Sequence, residues 1–185
     1  MQLLLISGSL RRDSHNSALV RAAAGVLPPG WEAEVYEGLG TLPHYSEDLD
    51  GETPPPAVAE LREAIAAADA ILIATPEYNA SIPGVLKNAI DWASRPFPGN
   101  ALRDKPAAVI GASTGLFGAV WAQAELRKVL AHTGARVLDG ELPVGTADEA
   151  FAEDGLLAEP DHHSRLRDIV EALAAEVPTP AAFAA

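Results

Sequence analysis

Apolar runs and helical stripes alternate along this chain, and the alternation sets out its elements. Leu3-Leu4-Leu5-Ile6 lies in a segment from Gln2 to Ser7 that reads as a buried strand, followed by a helix over Ser14 to Val26 that Leu27-Pro28-Pro29-Gly30 ends. Trp31 to Tyr36 is the next strand. Val58, Leu61 and Ile65 share one helical face, Ala70 to Ala74 reads as a third strand, and Ile82 to Trp92 as a helix. Ala107 to Gly111, Leu116 to His132 and Arg136 to Leu138 read as a fourth strand, a fourth helix and a short fifth strand. Leu166, Ile169, Val170 and Leu173 form the stripe of a last helix. Strands alternating with helices at this spacing predict an α/β three-layer sandwich. Its five-stranded parallel sheet has right-handed crossovers, and the strand order 2-1-3-4-5 is expected. Residues 1–177 form one domain, and the Ala/Pro tail 178–185 is expected to be loose. The segment from Glu37 to Pro56, rich in Gly, Pro and acid, is long enough to be a functional or interface loop.

Composition narrows the function. With 48% hydrophobic and 21% charged residues the chain is an ordinary globular one, and no segment reaches membrane-spanning length. The first apolar run starts too early for a secretory leader, so a cytoplasmic location is expected. Thirteen basic against 26 acidic residues give a net charge of −13, which disfavours nucleic acid and anionic lipid as partners. Without cysteine there is no disulfide, thiolate metal site or cysteine nucleophile, so redox chemistry needs a cofactor.

Three segments follow strands and precede helices, and in this winding they converge at the carboxyl ends of the strands, where open α/β sheets bind ligands. The first runs from Gly8 to Ser17. A turn through Gly8 and Ser9 into a helix offers backbone amides and a positive dipole end to an anion. Ser9, Ser14, Asn16 and Ser17 add neutral donors, and Arg11 adds a forked cation suited to phosphate. Any one of Ser14 or Asn16 alone reads as a helix cap; the cluster points to phosphate. There is no GxGxxG fingerprint and no Walker lysine, so ordinary NAD and ATP cradles fit poorly; the three converging loops point to one mononucleotide site, with FMN the expected guest. In the second segment, Pro76-Glu77-Tyr78-Asn79, the amides are placed for the polar edge of a flat ring and Tyr78 for its face. In the third, Ser113 and the glycines beside it, Gly115 included, line the opposite side.

These residues resemble the NADPH-dependent FMN reductases of flavodoxin-like fold, which include quinone, chromate and azo-dye reductases. The likeness lies in Gly8-Ser9-Leu10-Arg11 with Ser14, Asn16 and Leu19, and in Pro76-Glu77-Tyr78-Asn79-Ala80-Ser81-Ile82-Pro83-Gly84 running on through Leu86-Lys87-Asn88-Ala89-Ile90-Asp91-Trp92. It continues more weakly through Leu42-Pro43-His44-Tyr45, the Ser113 loop and Phe151-Ala152-Glu153-Asp154-Gly155-Leu156. The resemblance implies that Ser9, Arg11, Asn16 and Ser17 hold the FMN phosphate, that Pro76 to Asn79 contact the ring, and that Ser113 with Gly115 completes the site. It implies a ping-pong cycle using NADPH or NADH as co-substrate and a small-molecule electron acceptor, with no dedicated catalytic base and no metal. Self-association to a dimer or tetramer is implied too, through the helix after Pro83 and the loop near Tyr45.

Two rival readings have residues behind them. Gly111-Ala112-Ser113-Thr114-Gly115 matches the G-x-S-x-G elbow of serine hydrolases, with Asp148 or Asp154 and His162 or His163 in permissible chain order. A flavodoxin-like electron carrier would suit the acidic surface, but Arg11 fits the reductase pattern better than a carrier's neutral loop. Among other residues, His15 is expected to be an exposed first-turn histidine, Trp92 and Trp121 packing or interface anchors, and Glu47, Asp48 and Asp50 a solvated run. Asp13 is expected to point to solvent.

Overall fold

Alternation within the strands decides the layering. In a computed structural model, which describes residues 1–178, β1 (Gln2–Ser7) turns Leu4 and Ile6 to one face of the sheet and Leu3 and Leu5 to the other. β3 (Ala70–Thr75) and β4 (Pro106–Ala112) do the same, and every residue of both is buried. On one face Ile71, Ile73 and Val109 pack under Leu61 and Ile65 of α2 (Pro56–Ala67), Leu86 and Ile90 of α3 (Gly84–Ala93), and Leu126 and Leu130 of α4 (Val120–Thr133). On the other, Leu72 and Ile110 pack under Leu19 and Val20 of α1 (His15–Ala24) and the predicted stripe Leu166, Ile169, Val170 and Leu173 of α5 (Pro160–Ala175). Each large side chain so buried is worth about 1.5–3 kcal/mol of transfer free energy, which commits both faces of the sheet to helices.

The sheet is parallel throughout, in the order β2-β1-β3-β4-β5, with β2 spanning Glu32–Tyr36. This is the expected winding, and the architecture is the flavodoxin-like three-layer sandwich.

The fifth position differs from expectation. It holds two short pieces, β5 (Arg136–Val137) beside the start of β4 and β6 (Pro143–Val144) beside its end. Between them Asp139, Gly140 and Glu141 leave the sheet, Glu141 reaches Arg127 of α4 at 3.1 Å, and buried Leu142 brings the chain back. The fourth helix also begins later than its apolar pattern suggests. Gly118 and Ala119 sit at φ 55° and 60°, a left-handed conformation that an α-helix does not continue through, so Leu116 and Phe117 belong to a loop.

The long segment after β2 is tied down rather than free. The Asn88 side chain accepts from the Tyr45 amide at 2.8 Å and donates to the Pro43 carbonyl at 2.9 Å, and the Trp92 indole donates to that same carbonyl at 2.8 Å. Tyr45 meets Trp92 edge-on with ring centroids 4.8 Å apart. Asp50 is not part of a solvated run: it pairs with Arg62 at 2.7 Å, both side chains largely covered. Trp92 is a core anchor, as expected. The tail 179–185 lies outside the described residues, and among those described no helix is long and apolar enough to cross a membrane.

Tyr36, at the end of β2, has a buried hydroxyl with no hydrogen-bond partner among the described residues. Burial, and secondarily the Glu60 carboxylate, raise its phenol above the ordinary 10.0. With the folded value above the unfolded one, the unfolded chain loses this proton first as pH rises, so the phenol's contribution to stability is present below pH 10 and is lost above it. Tyr36→Phe removes the orphan and is expected to stabilise the fold by about 1 kcal/mol in urea unfolding. The same variant should flatten the alkaline limb of the stability profile.

Candidate functional site

Gly8 sets how closely the first two loops approach. Its amide donates to the Ala74 carbonyl at 2.8 Å, and a Cβ built on it would stand 2.9 Å from Leu86 Cδ2 and 3.2 Å from Pro76 Cδ. Any side chain here would push the turn after β1 away from the end of β3. The loop that follows is held by its own serines: Ser9 Oγ accepts from the Arg11 amide at 3.3 Å, and Ser17 Oγ donates to Ser7 Oγ at 3.0 Å. Ser7, Ser9, Ser17, Arg21 and Glu37 border a cleft of about 230 Å³ on the β2 side of α1. Arg11 and Arg12 are exposed, and among the described residues no carboxylate pairs with either. Asp13 is exposed as expected.

Ser14 and Asn16 are placed differently from Ser9, Arg11 and Ser17. Each is only 3% exposed. Ser14 is the N-cap of α1, its oxygen accepting from the amides of Asn16 and Ser17 at 3.2 and 3.4 Å. The Asn16 side chain crosses to the end of β4, donating to the Ala112 carbonyl at 2.9 Å and accepting from the Ala112 amide at 3.0 Å. Both side chains therefore spend their polar groups inside the protein and shape the cradle from beneath. His15 is in the first turn as expected but half-buried rather than exposed: its ring lies 3.1 Å from Asp148 and stacks on Phe151, which ties the stretch after β6 to the start of α1.

The second loop is a tight hairpin. Tyr78 and Ser81 exchange backbone bonds of 3.0 and 3.1 Å across Asn79 and Ala80, both at positive φ, so Tyr78 and Asn79 stand exposed at the tip while Pro76 is buried at the base. Glu77 turns sideways: its carboxylate accepts from the Ala122 amide at 3.0 Å and so caps α4, whose own N-cap residue, Ala119, has no side-chain oxygen to offer.

In the third loop the Ser113 amide donates to Val144 and the Thr146 amide to Gly115, which fastens this loop to β6. Gly118 is obligatory there: a Cβ would fall 2.3 Å from the Pro143 carbonyl carbon. Gln123, which the sequence did not single out, is wholly buried; it donates to the Gly118 carbonyl at 3.0 Å and accepts from the Leu142 amide at 3.1 Å. Only its place on the inward face of α4 could have signalled it.

The hydrolase constellation is not assembled. Ser113 Oγ has one contact, a long one of 3.4 Å to the Gly115 carbonyl. Asp148 faces His15, Asp154 accepts from the Leu156 amide, and His162 pairs with Glu159 on its own helix. Ser113 also lacks the positive φ of a strained turn.

A parallel sandwich of this winding, with a phosphate-type cradle after β1 and two further loops gathered beside it, defines a flavodoxin-like mononucleotide-binding protein. Residues 1–149 match the family described as NADPH-dependent FMN reductase, and the chain belongs to that family. It is 45% identical over 174 residues to an NAD(P)H-dependent FMN reductase of Pseudomonas aeruginosa, covering 94% of this chain and 93% of that one. A 2-hydroxy-1,4-benzoquinone reductase of a Burkholderia species is 46% identical over 132 residues, 71% of each chain. Among solved structures, a flavoenzyme NAD(P)H:(acceptor) oxidoreductase of Paracoccus denitrificans superposes with a TM-score of 0.83 at 38% identity, covering 95% of this chain and 96% of its own. The protein is thus an oxidoreductase, with FMN and NAD(P)H as its cofactor and reductant.

The bonds of Ser14 and Asn16 predict an order of damage. Ser14→Ala removes one cap and should cost about 1 kcal/mol. Asn16→Ala leaves both polar groups of Ala112 buried without a partner and should cost about 1–3 kcal/mol for each. Urea unfolding that ranks Ser14→Ala as the more damaging of the two would contradict this account.

Proposed function

We propose that this chain reduces quinone-type acceptors with NAD(P)H, on FMN held along the rim by the three loops. The observation that carries the reading is Arg11, exposed and without a carboxylate partner among the described residues, in the loop just ahead of the N-terminus of α1 where Ser9 Oγ accepts from its backbone amide and Ser17 follows in the first turn. The donor set fits a phosphomonoester: one forked cation, the Ser9 hydroxyl, the Ser17 hydroxyl once turned from Ser7, and the positive end of a ten-residue helix. Glycine at position 8 lets the ring-side loop stand close to this cradle.

When bound, FMN supplies the hydride chemistry, and the protein's part is to hold and orient it. Arg11, Ser9 and Ser17 bind the phosphate, while Ser14 and Asn16 keep the helix end in place. The exposed hairpin tip, Tyr78 and Asn79, would contact the ring, and Glu77 and Pro76 set the hairpin's angle from its base. Ser113 and Gly115 would contact it from the loop after β4. A site of this kind would serve reductant and acceptor in turn, a ping-pong order for which these residues need supply no side-chain base. The 46%-identical benzoquinone reductase supports a quinone, and azo compounds or free flavin meet the same requirement of a flat, electron-accepting ring.

Self-association belongs to the same reading. A groove of about 850 Å³ lies between the last turns of α3 and α4, bordered by Ile90, Val129, Arg95 and the exposed ring of Phe97. Lys87, Asp91 and Lys128 supply charge of both signs along it, which suits a second copy of this acidic chain.

The purified protein is expected to be yellow and to bleach on anaerobic addition of NADPH. Arg11→Ala should weaken FMN retention by about 1.5–3 kcal/mol, one charge-assisted hydrogen bond, measured by equilibrium dialysis. Unchanged FMN affinity in that variant would sink the phosphate assignment.

A further inference from the structure

Nine large apolar side chains are exposed among the described residues, and five of them, Leu10, Tyr78, Leu116, Phe117 and Trp121, stand on the loops after β1, β3 and β4 or on the first turn of α4. The group is sharpest around α4. Leu116 is 81%, Phe117 63% and Trp121 49% exposed, and the rings of Phe117 and Trp121 meet edge-on with centroids 5.2 Å apart. This exposure does not come from a loose loop. The Val120 amide donates to Phe117, buried Gln123 to Gly118, and the Ala122 amide to Glu77, which ties the base of the Tyr78 hairpin to the first turn of α4.

Residues 113–122 carry no charged side chain. The two other tryptophans, Trp31 and Trp92, are buried, so Trp121 was not spared for want of room in the core. Aromatic faces held in water beside a ligand rim suit the stacking of an uncharged planar ring, which fits both the apolarity and the lack of charge in this stretch.

We propose that Phe117 and Trp121 form an aromatic ledge that receives the electron acceptor, a neutral quinone, beside the FMN-binding rim. The inference rests on the flavin reading above and adds the residues that select the acceptor. It assigns Trp121 a role other than the packing or interface anchor expected from sequence. A quinone stacked on the ledge loses water from its ring and from the ledge together, whereas a hydrated oxyanion has no apolar surface to bury there.

The test uses FMN-loaded wild type, Phe117→Ala, Trp121→Ala and Trp121→Phe. Steady-state kcat/KM is measured with NADPH and either a naphthoquinone or ferricyanide as acceptor. The quinone-to-ferricyanide ratio should fall about tenfold in either alanine variant, mainly through the quinone KM, and Trp121→Phe should restore most of it. In a second measurement without NADPH, the naphthoquinone should quench the emission of exposed Trp121 saturably, and Trp121→Phe should abolish that component.

An unchanged ratio with normal FMN uptake would overturn the ledge alone. So would loss of FMN in the alanine variants, which would make the ledge part of the flavin grip. Conversion of a wild-type oligomer to monomers, with both acceptors affected equally, would show that a second copy covers the ledge and would likewise overturn it. Failure of the wild type itself to take up FMN would remove the flavin reading underneath.

Discussion

One buried amide holds the functional end of this molecule in register. Ala112 closes β4, and both of its backbone polar groups are taken by the side chain of Asn16, the second residue of α1 and 96 residues earlier in the chain. Neither group has water to fall back on, so the start of α1 cannot drift from the end of β4 without leaving a donor and an acceptor unpaired. The cradle after β1 and the loop after β4 therefore share one rigid frame. Gly8 joins the end of β3 to it by close contact, and Glu77 joins the hairpin to α4. Three loops far apart in sequence become one rim because two polar links and one close backbone contact hold them together.

Much of this was legible from residue pattern alone. The strands β1, β2, β3 and β4 and the stripes of α2 and α5 follow from apolar spacing, because both faces of a parallel sheet must be covered. The same argument placed the three loops at one end of the sheet. What pattern could not show is where an apolar residue is kept out of the core by backbone shape. Leu116 and Phe117 continue a helical stripe in sequence, yet the left-handed Gly118 and Ala119 hold them in the loop. β6 escaped notice because two residues carry no periodicity, and only the neighbouring end of β4 defines them as a strand.

The candidate site was readable as a set of residues, but not as a division of labour among them. Serines and asparagine at the head of a helix share one chemistry on paper. In the fold, Ser14 and Asn16 face inward to cap and stitch, while Ser9, Ser17 and Arg11 keep their polar atoms near the surface. Glu77 shows the same limit: as part of a ring-contacting motif it reads as a ligand group, and its carboxylate in fact satisfies a helix end that has no serine of its own. His15 and Asp148, 133 positions apart in sequence, carried no sign of each other.

The broken fifth strand has a consequence for how copies of this chain can meet. β5 and β6 offer two residues each, with a polar excursion between them, and the opposite border of the sheet is β2, which presents Glu32 and Glu34 to solvent. Neither border gives a neighbour a long, uncharged row of amides and carbonyls to zip onto, so growth of the sheet from one molecule into the next is blocked on both sides. Any lasting assembly has to be built from side chains on the helical layers rather than from a shared sheet, which keeps a protein with nearly half of its residues hydrophobic from propagating one β-structure through many copies.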